Sequence, residues 1–358
     1  MRWDGQLIDA PTDDASLPGM PALSSLVRTV QTPEFAGITF HEVLAKSALN
    51  KVPGASQVPF GWTVNPYRGC SHACTYCFAR NTHTYLDLDA GNDFDRQIIV
   101  KINVSEVLTR ELRRASWHRE AVALGTNTDP YQRAEGRYRL MPGIITALAE
   151  SGTPFSVLTK GASARRDLRL LAQANLQVPV GMGVSIALDD EAIHRDLEPG
   201  TPTPRSRLHL VRAITDAGLP CQVLVAPVLP MITDGDEQLD RLLGKIAAAG
   251  ADSATVFALH LRPGAREWFW RYLETHQPEL LGTYAELYRG SAYVLRSYAE
   301  DLARRVRPLL RRHRLDGSAV LRAPGEADPP RSVAANPATA PIPAPARAPA
   351  PGSEPALF

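Results

Sequence analysis

Three of the four cysteines, Cys70, Cys74 and Cys77, fall within eight residues, spaced C-x3-C-x2-C on a loop that leaves the apolar run Trp62–Asn65. Three thiolates placed this way can hold three irons of a cubane and leave the fourth iron without a protein ligand, unlike the four-cysteine ligation of an electron-transfer cluster. An open metal position is what chemistry on a bound molecule requires. The competing use is a zinc knot with His72 or His83 as fourth ligand. Structural zinc sites draw on two short Cys/His pairs lying apart in sequence, and a second pair is missing here. Three clustered thiols and one distant one do not suit a disulfide framework either.

Other residues able to meet a ligand stand where apolar runs end. Gly125-Thr126-Asn127-Thr128-Asp129-Pro130 follows four apolar residues and offers side-chain acceptors, although Asp-Pro also starts turns. Lys160 directly follows Leu158-Thr159 and is the only lysine at such an end, where a cation either binds an anion or is simply solvated. Ser185 and Ala226 stand near the ends of two further runs. Gly181-Met182-Gly183 lies inside a run and lacks the third glycine of a dinucleotide loop. Cys221 opens a run, far from the other thiols, as a small apolar filler does.

These residues need a scaffold that gathers the ends of several strands. Apolar runs at Trp62–Asn65, Ala121–Gly125, Phe155–Thr159, Val180–Ala187, Gln222–Pro227 and Ala254–Leu259 alternate with helical patterns such as Val104-x-x-Val107-Leu108-x-x-x-Leu112 and Leu239-x-x-Leu242-Leu243-x-x-Ile246-Ala247. Six βα repeats predict an α/β fold, a partial (β/α)6 barrel of TIM type over residues 36–262, with its chemistry at the C-terminal ends of the strands. Ser105 and Asp234 read as helix starts, Gly218 and Gly250 as helix ends. Residues 1–35 read as a flexible N-terminal arm. Three helices, about 264–275, 278–289 and 293–314, make a C-terminal extension within 263–315. Residues 323–358 hold 10 prolines in 36 residues, too little apolar surface to offset the entropy of ordering, and read as a disordered tail. Residues 289–314 carry eight arginines against two acids, a local surplus suited to holding a nucleic acid unless it is a solvated face.

With 358 residues, 44% of them hydrophobic, the chain can bury a sizeable core, and a formal net charge of +1 selects neither for nor against a polyanion. The start, Met1-Arg-Trp-Asp-Gly-Gln-Leu, lacks the apolar segment of a signal peptide, and no run of about 18 apolar residues follows. The expectation is a cytoplasmic monomer away from membranes, in a compartment that keeps thiols reduced.

Tyr76, just before the third cysteine, completes C-x3-C-x-Φ-C. Together with Asn65-Pro66-Tyr67-Arg68-Gly69-Cys70, Tyr76-Cys77-Phe78-Ala79-Arg80 and Gly125-Thr126-Asn127-Thr128-Asp129-Pro130-Tyr131-Gln132, the sequence resembles the radical S-adenosylmethionine (radical SAM) superfamily over about residues 36–290. Within it the motifs are similar to the spore photoproduct lyase-like branch, whose members are often labelled DNA repair photolyases. The resemblance implies a 4Fe–4S cluster on Cys70, Cys74 and Cys77, with S-adenosylmethionine chelated at the open iron and cleaved to a 5′-deoxyadenosyl radical. It also implies an electron donor of flavodoxin or ferredoxin type. Tyr76 would help seat the adenine and Lys160 would bind the carboxylate. Thr126, Asn127 and Asp129 would hold the amino group in place of the superfamily's usual Gly-Gly-Glu, and Ser185 and Ala226 would line the ribose and adenine. Damaged DNA is the substrate the resemblance suggests. RNA, a protein side chain or a small metabolite form a second reading, and a cluster-bearing nucleic-acid-binding protein without turnover a third. The cysteine with which lyases of this kind return hydrogen has no counterpart just after the second apolar run, and Cys221 belongs at the opposite end of its strand.

Overall fold

All six apolar runs become strands of one sheet in the computed structural model, which describes residues 25–53, 58 and 60–317. In chain order the strands are β1 (Leu26–Val30), β2 (Thr39–Val43), β3 (Leu49–Lys51), β4 (Trp62–Val64), β5 (Tyr67–Arg68), β6 (Gln97–Lys101), β7 (Val122–Leu124), β8 (Phe155–Thr159), β9 (Val180–Ser185), β10 (Cys221–Val228) and β11 (Ser253–Ala258). The main sheet runs β11-β10-β9-β8-β7-β4-β3, parallel throughout except for β3 at its edge. Buried on both faces, a parallel strand reads as a continuous apolar stretch, as Val122-Ala123-Leu124 does.

The helical patterns fold as their spacing requires. The helix Val104–Leu112 buries Val104, Val107, Leu108 and Leu112, and Asp236–Ala248 buries Leu239, Leu242, Leu243 and Ile246, one stripe each. Gly218 and Gly250 end their helices at φ of 74° and 92°, a region where other residues are strained. The expected starts are each displaced. Asn103 precedes the first helix, with its side chain bonded to the backbone of Ala45 at 2.7 and 3.2 Å, and Gly235 precedes the second. Asp234 is drawn away instead by the Tyr298 hydroxyl at 2.7 Å.

The sheet is an open, partial barrel, because β11 and β3 end it and do not pair with each other. The segment after the last strand closes over the loop after the first strand of the parallel series. Arg262 places its guanidinium carbon 5.6 Å from the Phe78 ring centre, and Arg80 lies 4.9 Å over the Trp268 ring. A Cβ on Gly264 would come within 3.1 Å of Asn81 N.

Helices Ala265–His276, Leu281–Tyr288 and Arg296–Arg312 complete the extension, close to the expected spans. The last buries Ala299, Leu302, Val306 and Leu309, and several of its arginines are paired with acids, although Arg307 and Arg311 stay exposed. Arg305 bonds Asp301 at 2.9 Å and Asp236 at 2.6 Å, Arg312 bonds Asp240 at 3.0 Å, and Arg304 pairs with Asp301. Pairing with acids of its own helix and of Asp236–Ala248 uses part of the charge that the sequence offered to a nucleic acid.

A second sheet, β1-β2-β6-β5, was not foreseen. The described end of the expected arm forms β1, antiparallel to β2, while residues 1–24 and the 323–358 tail lie outside the described residues. His41, buried between Thr29 Oγ1 at 3.1 Å and Gln97 Oε1 at 2.7 Å, stitches three of these strands. The sheet matters to the site because β5 pairs with β6 immediately before Cys70. No helix among the described residues is long and apolar enough to cross a membrane.

Candidate active site

Tight turns fold the cysteine loop on itself. Ala73 N donates to Cys70 O at 3.2 Å, Cys77 N to Cys74 O at 3.2 Å, and Arg80 N to Cys77 O at 3.3 Å. Gly69, at φ 80°, opens the loop where a Cβ would sit 2.9 Å from Gln97 O. Gln132 grips both sides of the first cysteine, accepting from Ser71 N at 2.9 Å and donating to Gly69 O at 3.0 Å. Arg80, fully buried, donates twice to Cys74 O at 3.1 and 2.9 Å and forks onto Asp95 at 2.9 and 3.0 Å. From the far side the segment after β9 clasps the loop: Thr75 N donates to Leu197 O at 2.9 Å and Gly200 N to His72 O at 3.1 Å. Only glycine fits there, since a Cβ on Gly200 would lie 2.0 Å from Ser71 O.

The expected polar run after β7 is placed beside this loop by Gly125, whose φ of 83° and a would-be Cβ contact of 1.8 Å with Leu158 O exclude any side chain. Asp129 spends both carboxylate oxygens on the protein. It accepts from Thr159 Oγ1 at 2.6 Å, Tyr131 N at 2.8 Å and Lys160 N at 2.6 Å, with His72 Nδ1 at 3.3 Å. Burial opposes its charge, but the His72 imidazole and these donors prevail and hold the carboxyl down at about 2. Thr128 donates to Tyr67 O at 2.9 Å, whereas the half-buried side chains of Thr126 and Asn127 have no hydrogen-bond partner among the described residues.

Lys160, Tyr76 and two residues unmarked in the sequence reading form a buried charged group. The Tyr76 hydroxyl donates to Glu198, which also accepts from Arg207, while Lys160 Nζ lies 4.0 Å from the same carboxylate and 5.8 Å from the Tyr76 ring centre. Arg207 in turn donates to Ser185 O at 2.9 Å. Burial works against the Glu198 carboxylate, yet the charges of Arg207 and Lys160 hold it down at about 2. Ser185 Oγ reaches Ala226 O at 3.3 Å, so those two expected residues meet across β9 and β10. Glu198 and Arg207 flank the proline-rich stretch 199–204, and the signal that could have found Arg207 is its place on the buried stripe of the helix Pro204–Asp216, in line with Leu210, Val211 and Ile214.

The three thiols suit a cluster. All are free, and burial first of all pushes each thiol up, so a metal's charge must replace the proton for a thiolate to form. Neither histidine proposed for zinc turns to them, since His72 faces Asp129 and His83 Nε2 contacts Gln97 O at 2.9 Å. Among the described residues no three Cys, His, Asp or Glu side chains converge on one ion, as a cubane, which spreads its ligands, does not require. Cys221 opens β10, fully buried, with its thiol pushed up to about 12 by burial and by Asp252.

Residues 64–243 match the family model described as the Radical SAM superfamily. An uncharacterized protein of Mycobacterium tuberculosis is 61% identical over 320 residues, covering 88% of this chain and 94% of that one. An uncharacterized protein of Methanocaldococcus jannaschii is 23% identical over 240 residues, 66% of this chain and 83% of that one. Among solved structures, spore photoproduct lyase complexed with dinucleoside spore photoproduct superimposes with a TM-score of 0.59 at 15% identity, covering 76% of this chain and 79% of that one. A mutant of that lyase with bound AdoMet and the same dinucleoside gives 0.56 at 16% identity over 72% and 76%. At such identities the likeness is one of fold.

Proposed function

The chain belongs to the radical SAM superfamily, and on that premise we propose that it is an enzyme holding a 4Fe–4S cluster on Cys70, Cys74 and Cys77 and S-adenosylmethionine at the open iron. When bound, these groups supply reductive cleavage of the sulfonium to a 5′-deoxyadenosyl radical, which takes hydrogen from a substrate. The observation that carries the reading is the buried group beside the cysteine loop. Two cations, Lys160 and Arg207, face one anion, Glu198, and a ligand carboxylate would balance the remaining charge. Lys160 therefore takes the carboxylate of S-adenosylmethionine. Thr126 and Asn127, with acceptors unspent, take its amino group. Asp129, already saturated, positions Lys160 and His72 instead of touching the ligand. Tyr76, fixed by Glu198, presents one wall to the adenine, and Ser185 and Ala226 another.

The favoured substrate is damaged DNA, on the support of a fold shared with a lyase solved with its dinucleoside lesion. The reading places the protein in the cytoplasm as a monomer served by a flavodoxin- or ferredoxin-type donor. Anaerobic reconstitution followed by a reductant-driven assay for 5′-deoxyadenosine tests it. A chain that binds stoichiometric zinc, with no brown chromophore and no product, refutes it.

A further inference from the structure

Six large hydrophobic side chains are strongly exposed among the described residues: Val58, Phe78, Tyr85, Leu176, Met231 and Tyr293. Three of them stand on segments at the end of the barrel where the parallel strands finish. Phe78 follows Cys77 directly, Met231 lies just beyond β10, and Tyr293 is drawn to the end of β11 by the Leu261 N to Ala292 O bond of 2.8 Å. Scattered apolar residues on a surface need no explanation, but a group at the mouth of a site does.

The rings come with a cation. Phe78 is 45% exposed, and the exposed Arg262 stands 5.6 Å from its centre with no acidic partner among the described residues. Tyr293, 42% exposed, meets His260 edge to face at 4.7 Å, and His260 stacks on Phe257 at 5.6 Å with planes 29° apart. Burial, helped by Arg262, holds His260 down at about 4, so that ring is neutral and adds no charge of its own. Partly exposed rings next to a guanidinium that has no acidic partner among the described residues match a flat ring joined to an anion better than an aliphatic side chain.

We propose that Phe78, Arg262 and Tyr293 form a docking strip for an unstacked base of a single-stranded nucleic acid, the rings stacking on the base and Arg262 meeting the adjoining phosphate. This rests on the radical SAM reading of the same site and names what that site holds. A base inside a duplex has its faces covered by neighbours, so the strip selects strands that are open.

The test is fluorescence anisotropy of the reconstituted protein with a labelled single-stranded DNA, the same sequence as RNA, and the matching duplex. The expected result is binding of a single strand at least about tenfold tighter than duplex, with the tighter of DNA and RNA identifying the source. Phe78→Ala and Tyr293→Ala each weaken it about tenfold, Phe78→Trp restores it, and Arg262→Ala weakens it and lowers the salt slope by about one. Equal affinity for duplex, no binding of either strand, or wild-type affinity in all three weakening variants overturns the inference. Iron content and thermal midpoint, measured on every variant, separate lost binding from lost fold. Formation of 5′-deoxyadenosine by the wild type reports on the radical reading independently.

Discussion

The Tyr76 hydroxyl donates to Glu198, 122 residues later in the chain, so the residue between two cysteines is fastened to the carboxylate that also neutralises Arg207. Removing one member of a fully buried ion pair leaves the other uncompensated. Glu198→Ala is therefore expected to cost about 3–5 kcal/mol of stability, read as a lowered urea midpoint. Glu198→Gln, which keeps one acceptor oxygen for Arg207 but loses the second acceptor and the charge, should fall between the wild type and Glu198→Ala.

Each of Cys70→Ala, Cys74→Ala and Cys77→Ala should abolish a cluster that otherwise brings about four irons per chain. Colorimetric iron and the visible absorbance after anaerobic reconstitution check this, with retention of four irons by any of the three as the contrary result.

Lys160→Ala should leave the iron content intact and weaken S-adenosylmethionine binding by about 1–3 kcal/mol, the loss of one hydrogen bond to a charged group. Equilibrium binding by calorimetry under anaerobic conditions measures it. Unchanged affinity would move the carboxylate to Arg207.

His83 is buried against Phe94 with Nδ1 unpartnered, and burial lowers its pKa to about 4. The folded state thus resists a proton that the unfolded chain accepts near 6.5. This contribution is complete above pH 6.5 and is lost as the pH falls toward about 4, about 3 kcal/mol in all. Urea midpoints from pH 7.5 to 4.5 should drop more steeply for the wild type than for His83→Gln, a difference in which any loss of the cluster cancels.

Cys221→Ala should change neither 5′-deoxyadenosine formation nor the products, at a small cost in packing. The residue starts β10, and the far end of that strand, Val228, is seven residues on, about 23 Å at strand rise. Aberrant radical adducts in the mutant would show a thiol within reach of the substrate.

Periodicity made the main sheet legible, because a strand such as Val122–Leu124 has to be apolar on both faces, and the cysteine spacing marked the loop. The second sheet escaped notice because β5 spans two residues and β1, reading Leu-Val-Arg-Thr-Val, mixes its faces. Glu198 and Arg207 were hidden for another reason. A charge looks alike in sequence whether it is solvated or sealed, and it takes contacts such as the clasp of Leu197 on Thr75 and of Gly200 on His72 to show that this stretch is turned inward. Asp129 was legible as a residue near the site, but its partners were not, since the four of them come from three different segments.

Between β11 and β3 the barrel wall is not sewn by backbone hydrogen bonds, and side chains such as Arg262 on Phe78 are what bridge the other end of the gap. A closed ring admits only what can enter by its mouth, and a long polymer would have to thread a free end through it. A wall with a seam imposes no such condition. If the substrate is the open nucleic-acid strand proposed above, it would then need no free end, because an internal stretch could be laid in sideways and lifted out again.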